Sequence, residues 1–226
     1  MWAEKIEFWI LTSFLRDMNN MFINRQTGYI AIIFLSGFFL TGWTGTWDDI
    51  RQESEKIKTI SSHFTQTKHM RILSKPLVSR GSFYFASPDA VRWEYASPVR
   101  SILLTHKGTV KRFLQSSAGV LEDAGPALPS MNVVLQEITS WSRGDFNSNQ
   151  NFTAELRTGD VPKIILTPKE KAFARIIERI EIALAPDTAS VIRSITISEG
   201  AENYTVFEFL DAHINTPIDD SLFRNP

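Results

Sequence analysis

The sixteen residues Arg80–Tyr95, RGSFYFASPDAVRWEY, read as strand, turn and strand, and they constrain the fold more than any other segment. Side chains alternate along a strand, so Phe83 and Phe85 share one face. Ser87-Pro88-Asp89 breaks the run with turn residues. On the return, Val91, Trp93 and Tyr95 share a face, while Arg92 and Glu94 take the opposite one, which parity places outside. One face of the hairpin therefore gathers five bulky groups. Such a face has to be covered, either by protein or by a ligand.

The rest of the chain supplies partners for that hairpin. Trp47 to His63 carries Ile50, Ile57 and Ile60, followed by Phe64, at helical spacing, with Asp48, Asp49 and Glu53 near its start, where acids suit the helix dipole. Phe64–Arg71 alternates and reads as a strand. Ser101–Thr105 and Thr109–Gln115 form a second hairpin about the His106-Lys107-Gly108 turn. Ala124–Pro129 is loop. Met131–Ser142 places Met131, Val134, Leu135, Ile138 and Trp141 on one side of a helix that Gly144 closes. Phe152–Arg157, Lys163–Thr167, Ala174–Leu184, Ser190–Ser198 and Asn203–His213 all alternate between short turn clusters. Asp219–Phe223 reads as a terminal helical turn. The expected class is a single α+β domain, a large antiparallel sheet with a few helices on one side.

A chain of 226 residues can bury one sizeable core. A net charge of −1 and a pI near 6.4 give no basic stripe for nucleic acid. There is no Cys, which excludes disulfides, thiol catalysis and acylation of the chain itself. Tyr29–Leu40 is a twelve-residue apolar run behind Arg25, short for a bilayer span and the length of a signal-peptide core. Small residues follow at Thr41, Gly42, Thr44 and Gly45. The expected organisation is a leader or extension over 1–45, with Met21 as an alternative start and an uncleaved membrane anchor as the other reading, and a mature domain over 46–226 that is exported.

Catalytic signatures are missing. There is no G-x-S-x-G, H-E-x-x-H, P-loop or G-x-G-x-x-G. His63, His69, His106 and His213 are scattered, and Glu53 and Glu55 read as solvated helix positions. No enzyme, metal or cofactor is expected.

Taken together, the segments resemble the periplasmic outer-membrane lipoprotein carrier family, LolA, as a divergent member. The matching pieces are the first helix running into Phe64-Thr65-Gln66, Gly81-x-Phe83-x-Phe85, Pro88, Val91-Arg92-Trp93-Glu94-Tyr95 and Pro98. Ile102-Leu103-Leu104 before Gly108, Trp141, Gly144-Asp145, Ile165–Pro168 and Asn215–Phe223 also fit. The resemblance spans roughly residues 48–224. It implies a curved antiparallel half-barrel, an unclosed β-barrel with helices covering the open mouth. It also implies a monomeric carrier that holds lipoprotein acyl chains in an apolar cavity. Its partners would be an inner-membrane exporter complex and an outer-membrane acceptor, with no nucleic acid. By strand parity the lining would be Phe83, Phe85, Val91, Trp93, Tyr95 and Leu103, and the lid Met131, Val134, Leu135 and Ile138. Met131 is flexible enough to fit varied chains. An aromatic face under an amphipathic helix is usually ordinary core; the resemblance reverses that for the face as a whole. Two positions depart from the family. Ser87 stands where members often carry an Arg that holds the lid, and Lys111 and Arg112 stand where aromatic residues are common. A free-lipid carrier or an envelope-sensing module on the same fold is the alternative.

Overall fold

Eleven strands follow the alternation in the sequence. The computed structural model describes residues 45–116, 119–122, 136–148, 150–186, 188–200 and 202–226. The strands are β1 (Thr59–His69), β2 (Leu77–Ala86), β3 (Ala90–Ser97), β4 (Ser101–His106), β5 (Thr109–Ser116), β6 (Gly119–Glu122), β7 (Phe152–Arg157), β8 (Lys163–Pro168), β9 (Arg179–Ala185), β10 (Thr188–Ser198) and β11 (Tyr204–Ile214). The helices are α1 (Trp47–Glu55), α2 (136–142) and α3 (Lys171–Ala174), and a 3-10 turn spans Asp220–Phe223. The leader expected over residues 1–45 lies, apart from Gly45, outside the described residues, as do Met131, Val134 and Leu135. No helix among the described residues is long and apolar enough to cross a membrane.

Every strand pairs antiparallel in one sheet, in the order β6-β5-β4-β3-β2-β1-β11-β10-β9-β8-β7. Two meanders thus meet at a central seam, where β1 joins β11. The sheet is not closed into a barrel. Its edge strands β6 and β7 stay apart, and the fold is the α+β half-barrel that the pattern and the resemblance predict. The aromatic hairpin forms about the expected turn, with Phe83 opposite Trp93 and Phe85 opposite Val91. Gly81 lies opposite Phe64 on β1. A Cβ at Gly81 would meet the Glu94 carbonyl at 2.0 Å and the Phe64 ring at 2.6 Å, so the ring lies on the space this glycine leaves.

The first helix is shorter than its apolar spacing suggests. It ends at Glu55, and Ile60 and Phe64 belong to β1. Ile50, Ile57, Ile60 and Phe64 fit a helical period, but Ile60, Ser62 and Phe64 are buried alternately, and the small Ser62 hid that pattern. A capping box holds the start of α1: Thr46 Oγ1 accepts from Asp49 N at 3.2 Å, and Asp49 Oδ2 accepts from Thr46 N at 3.0 Å. A second correction concerns Ala174–Leu184. The strand begins only at Arg179, after α3 and a turn; Phe173 of α3 and Ile177 of the turn both pack on the core, and Ile177 N donates to Phe173 O at 2.9 Å. The short edge strand β6 carries too few residues to show a period and was not foreseen.

The outer face also differs from its expected exposure. Arg92 is on the side that parity assigns, yet it is only 6 % exposed. The 3-10 turn lies against β3 and β4, with Phe223 buried and Ile102, Leu104 and Phe113 forming a small second core on that face. The period of a strand gives its face; what covers the face is set by a segment from the far end of the chain.

Candidate functional site

The concave face of the sheet carries the main core, and within it lies a cavity of about 330 Å³. The first meander contributes Trp93, Tyr95 and Leu103 to its wall, and α2 contributes Ile138 and Trp141. The second contributes Phe152, Phe173, Ile177, Ile180, Ile195, Ile197 and Phe207. Arg112 and Glu137 are the charged side chains on this wall.

Of the residues expected to line a cavity, Trp93, Tyr95 and Leu103 lie on this one, as does Ile138, expected in the lid. Phe83 lies on a smaller neighbour of about 30 Å³, shared with Trp93, Ile138 and Trp141. Phe85 and Val91 lie on neither wall; they are 1 % and 0 % exposed and pack inside the core. They sit toward the closed end of the hairpin, where neighbouring strands and side chains fill the space. Sequence reasoning named residues of the first meander and none of the second. The alternation of Ile195 with Ile197 and of Phe207 with Phe209 was visible, but nothing local says that these strands curve round to face Trp93.

Rings cluster about Trp93. Its centroid lies 4.9 Å from Phe64, 5.5 Å from Phe83, 5.4 Å from Phe207 and 6.0 Å from Phe209, the last three edge-on. Edge-to-face packing at these distances suits ring quadrupoles and fixes the floor of the cavity. Tyr95 stands edge-on to Phe64 at 5.2 Å, and its hydroxyl donates to Gln66 Oε1 at 2.7 Å. Burial pushes the Tyr95 phenol up to about 12, so it stays neutral. The wall is therefore largely apolar: the Tyr95 hydroxyl is tied back into the sheet, Trp93 Nε1 is buried without a hydrogen bond among the described residues, and Arg112 and Glu137 are the charged groups.

Helix α2 is anchored at its C-terminal end. Gly144 N donates to Trp141 O at 3.0 Å and Asp145 N to Ser140 O at 2.9 Å, the paired bonds of a Schellman motif with Gly144 at φ +76°. A Cβ on Gly144 would meet Ser54 Oγ of α1 at 2.5 Å, so the two helices touch here. Ser142 Oγ donates to Ile138 O at 2.8 Å. The Trp141 Nε1 and Ser190 Oγ atoms are buried and make no hydrogen bond among the described residues.

On the convex face, Arg92 Nη1 donates to the carbonyls of Leu222 at 2.9 Å and Asn225 at 2.6 Å, and Arg92 Nε donates to Glu94 Oε2 at 2.9 Å. Arg100 Nε donates to Glu94 Oε1 at 2.9 Å. Burial by itself would raise the Glu94 carboxyl; hydrogen bonds from Arg92 and Arg100 outweigh it and hold Glu94 below the ordinary carboxylate value. Arg92 thus ties down the C-terminal segment and has no contact with the cavity wall. His63 Nδ1 lies 3.2 Å from Ser82 Oγ between β1 and β2, and His69 stacks on Tyr204 at 4.3 Å across the seam, both structural contacts. Among the described residues no three His, Asp or Glu side chains gather as metal ligands would.

Several solved structures are similar. A LolA superfamily protein from Nitrosomonas europaea is 9 % identical over 79 % of this chain and 97 % of its own, with a TM-score of 0.42. An outer membrane lipoprotein-sorting protein domain from Vibrio parahaemolyticus is 10 % identical over 78 % of this chain and 93 % of its own, with a TM-score of 0.40. The MucA/MucB complex of Pseudomonas aeruginosa contains a chain 15 % identical over 78 % of this one and 59 % of its own, with a TM-score of 0.46. No curated protein sequence matches this chain. The model of the family "Outer membrane lipoprotein carrier protein LolA" matches residues 55–225. That match takes in all eleven strands and most of the described chain, and the chain belongs to the LolA family.

Proposed function

We propose that this protein is a periplasmic carrier that holds lipoprotein acyl chains in the concave cavity and passes them from an inner-membrane exporter to an outer-membrane acceptor. The observation that carries the reading is the apolar cavity itself, walled by both meanders and by α2, in a chain of the LolA family. Burial of each methylene contributes roughly 0.8 kcal/mol, so a dry wall of rings and Ile side chains is what an acyl chain needs. Residues 1–45 act as the leader and 46–226 as the carrier domain. Phe83, Trp93, Tyr95 and Leu103 form the part of the binding surface contributed by β2–β4. Met131, Val134, Leu135 and Ile138 form the lid, which opens to admit cargo. The chemistry is binding and release, with no catalytic step. Ser87 is too short to reach a lid as a guanidinium would, so lid closure rests on apolar packing at Ile138 and Trp141.

The cavity volume favours a second reading. At ~30 Å³ per water-sized group, 330 Å³ holds on the order of ten methylenes, enough for one acyl chain and not for several. A single-chain amphiphile fits without opening; a multiply acylated N-terminus requires the lid to move.

Native mass spectrometry of the protein recovered from the periplasm of a diderm host, expressed as the full precursor, tests both. Added mass of an acylated polypeptide supports lipoprotein carriage, and a few hundred daltons supports the single-chain amphiphile. Leu103→Asp, at a half-buried wall position, should abolish either adduct while the β-sheet circular dichroism persists. An unchanged adduct in that variant, or a bare chain in both proteins, would remove the cavity from the mechanism.

A further inference from the structure

We propose that the end of the sheet bearing the β1–β2 turn docks onto an anionic lipid bilayer. Eight large hydrophobic side chains are exposed among the described residues, and six of them lie at this one end. Ile72 and Leu73 are in the β1–β2 turn, Leu77 and Val78 open β2, Val99 is in the β3–β4 loop and Ile176 is in the β8–β9 connection. Ile72 is 79 % exposed and Val99 63 %. The pairings place these loops along one rim of the sheet: Lys68 is opposite Leu77, Arg80 opposite Ser97, His69 opposite Tyr204, and Ser198 opposite both Tyr204 and Arg179. Single exposed apolar residues are common on any surface; a cluster at the tip of one hairpin marks a contact site.

Charge complementarity identifies the occupant. From Lys56 to Pro88 the chain contains no Asp or Glu, but it contains Lys68, Arg71, Lys75 and Arg80 around the tip. Lys68 is taken by Glu199 at 3.2 Å, and Arg100 beside Val99 is taken by Glu94. Arg71, Lys75 and Arg80 make no ion pair among the described residues; the nearby acids outside these pairs are Glu202 on the adjoining β10–β11 turn and Glu170 and Glu178 on the β8–β9 connection, where Arg175 and Arg179 accompany them. Exposed aliphatic groups ringed by unpaired cations are what inserts at the headgroup level of an anionic membrane, where the aliphatic groups enter the acyl boundary and the cations meet phosphates. The cavity lies toward the same end: Tyr95, Ser101, Ile180 and Ile197 of its wall are at or beside strand ends on that side. Docking stands without the carrier reading; if both hold, an acyl chain moves between bilayer and cavity over a short apolar path.

The absence of Cys allows a direct test on the full chain. Ile72→Cys is labelled with a polarity-sensitive dye, and Leu210→Cys, exposed on β11 six residues beyond Tyr204, serves as the control site. Each is mixed with vesicles of phosphatidylcholine alone or of phosphatidylcholine and phosphatidylglycerol in equal parts. The expected result is a blue shift at position 72 on the phosphatidylglycerol vesicles only, with none at 210. Adding Arg71→Gln and Lys75→Gln should weaken vesicle binding by about twenty-five-fold, from the usual contribution of each surface cation. No shift at 72 overturns the proposal and leaves a protein partner for the tip. Equal shifts on both vesicle types, or shifts at both sites, also overturn it, since insertion of the apolar run 29–40 would give them without regard to Arg71 and Lys75. The vesicles carry no lipoprotein and the dye is away from the cavity wall, so this result is read independently of the native mass spectrum.

Discussion

At the scale of the residue, Gly144 carries two separate demands. Its φ of +76° is a conformation that costs an L-residue about 1–2 kcal/mol. Its missing Cβ also leaves room for Ser54, and filling a tight contact typically costs about 1–3 kcal/mol. Gly108 has φ +73° in the β4–β5 turn but open space around it, so only the backbone cost applies there. Gly144→Ala should therefore lower Tm by on the order of 10 °C, and Gly108→Ala by roughly a third of that, given about 2–4 °C per kcal/mol in a chain of this size. Equal losses in thermal melts of the two variants would show that the α1–α2 contact adds nothing. Gly144 was legible in the sequence as the stop of a helix. Its contact with Ser54 was not, because that meeting belongs to the packing of two helices far apart in the chain.

Elements were legible where one period stood clear of the others. The β2–β3 hairpin has alternation, a turn and no competing helical match, and it forms about that turn. The segment from Ile57 to Phe64 satisfies both periods, and there the longer helix reading gave way to β1. The 3-10 turn was visible as a short element, but its role as the cover of the convex face depends on Arg92, which the sequence placed in solvent. That clasp is expected to respond to pH through Glu94. The folded carboxyl sits below the ordinary value of 4.5, so its contribution is fully present above that value and is lost as pH falls through the folded pKa. Acidification below about pH 4.5 should raise amide hydrogen exchange in residues 220–226 before the sheet opens. Glu94→Gln should remove this pH step while leaving the Arg92 bonds to the Leu222 and Asn225 carbonyls. A step that survives in the variant would assign the acid response to another group.

At the scale of the whole molecule, the strand order decides which parts open first, and no strand of the sequence could reveal it. Ten of the eleven alternate, yet β1 and β11 come from opposite ends of the described chain and pair at the centre. Each is hydrogen-bonded on both sides and contributes Phe64, Phe207 and Phe209 to the rings around Trp93. β6 and β7 are each paired on one side only. Opening free energy follows buried contacts and paired backbone, so protection should fall from the seam outward in both directions. Hydrogen exchange followed by mass spectrometry is expected to show β1, β2, β10 and β11 slowest and β6 and β7 fastest. A ligand in the cavity contacts both meanders, so it should slow β4, β9 and β10 in proportion to occupancy, with about 2.7 kcal/mol of added stability at a hundredfold excess over Kd. Uniform protection without ligand would mean that the seam is no stronger than the edges. Protection gained in one meander alone would place the ligand on a single hairpin and outside the space that the two halves share.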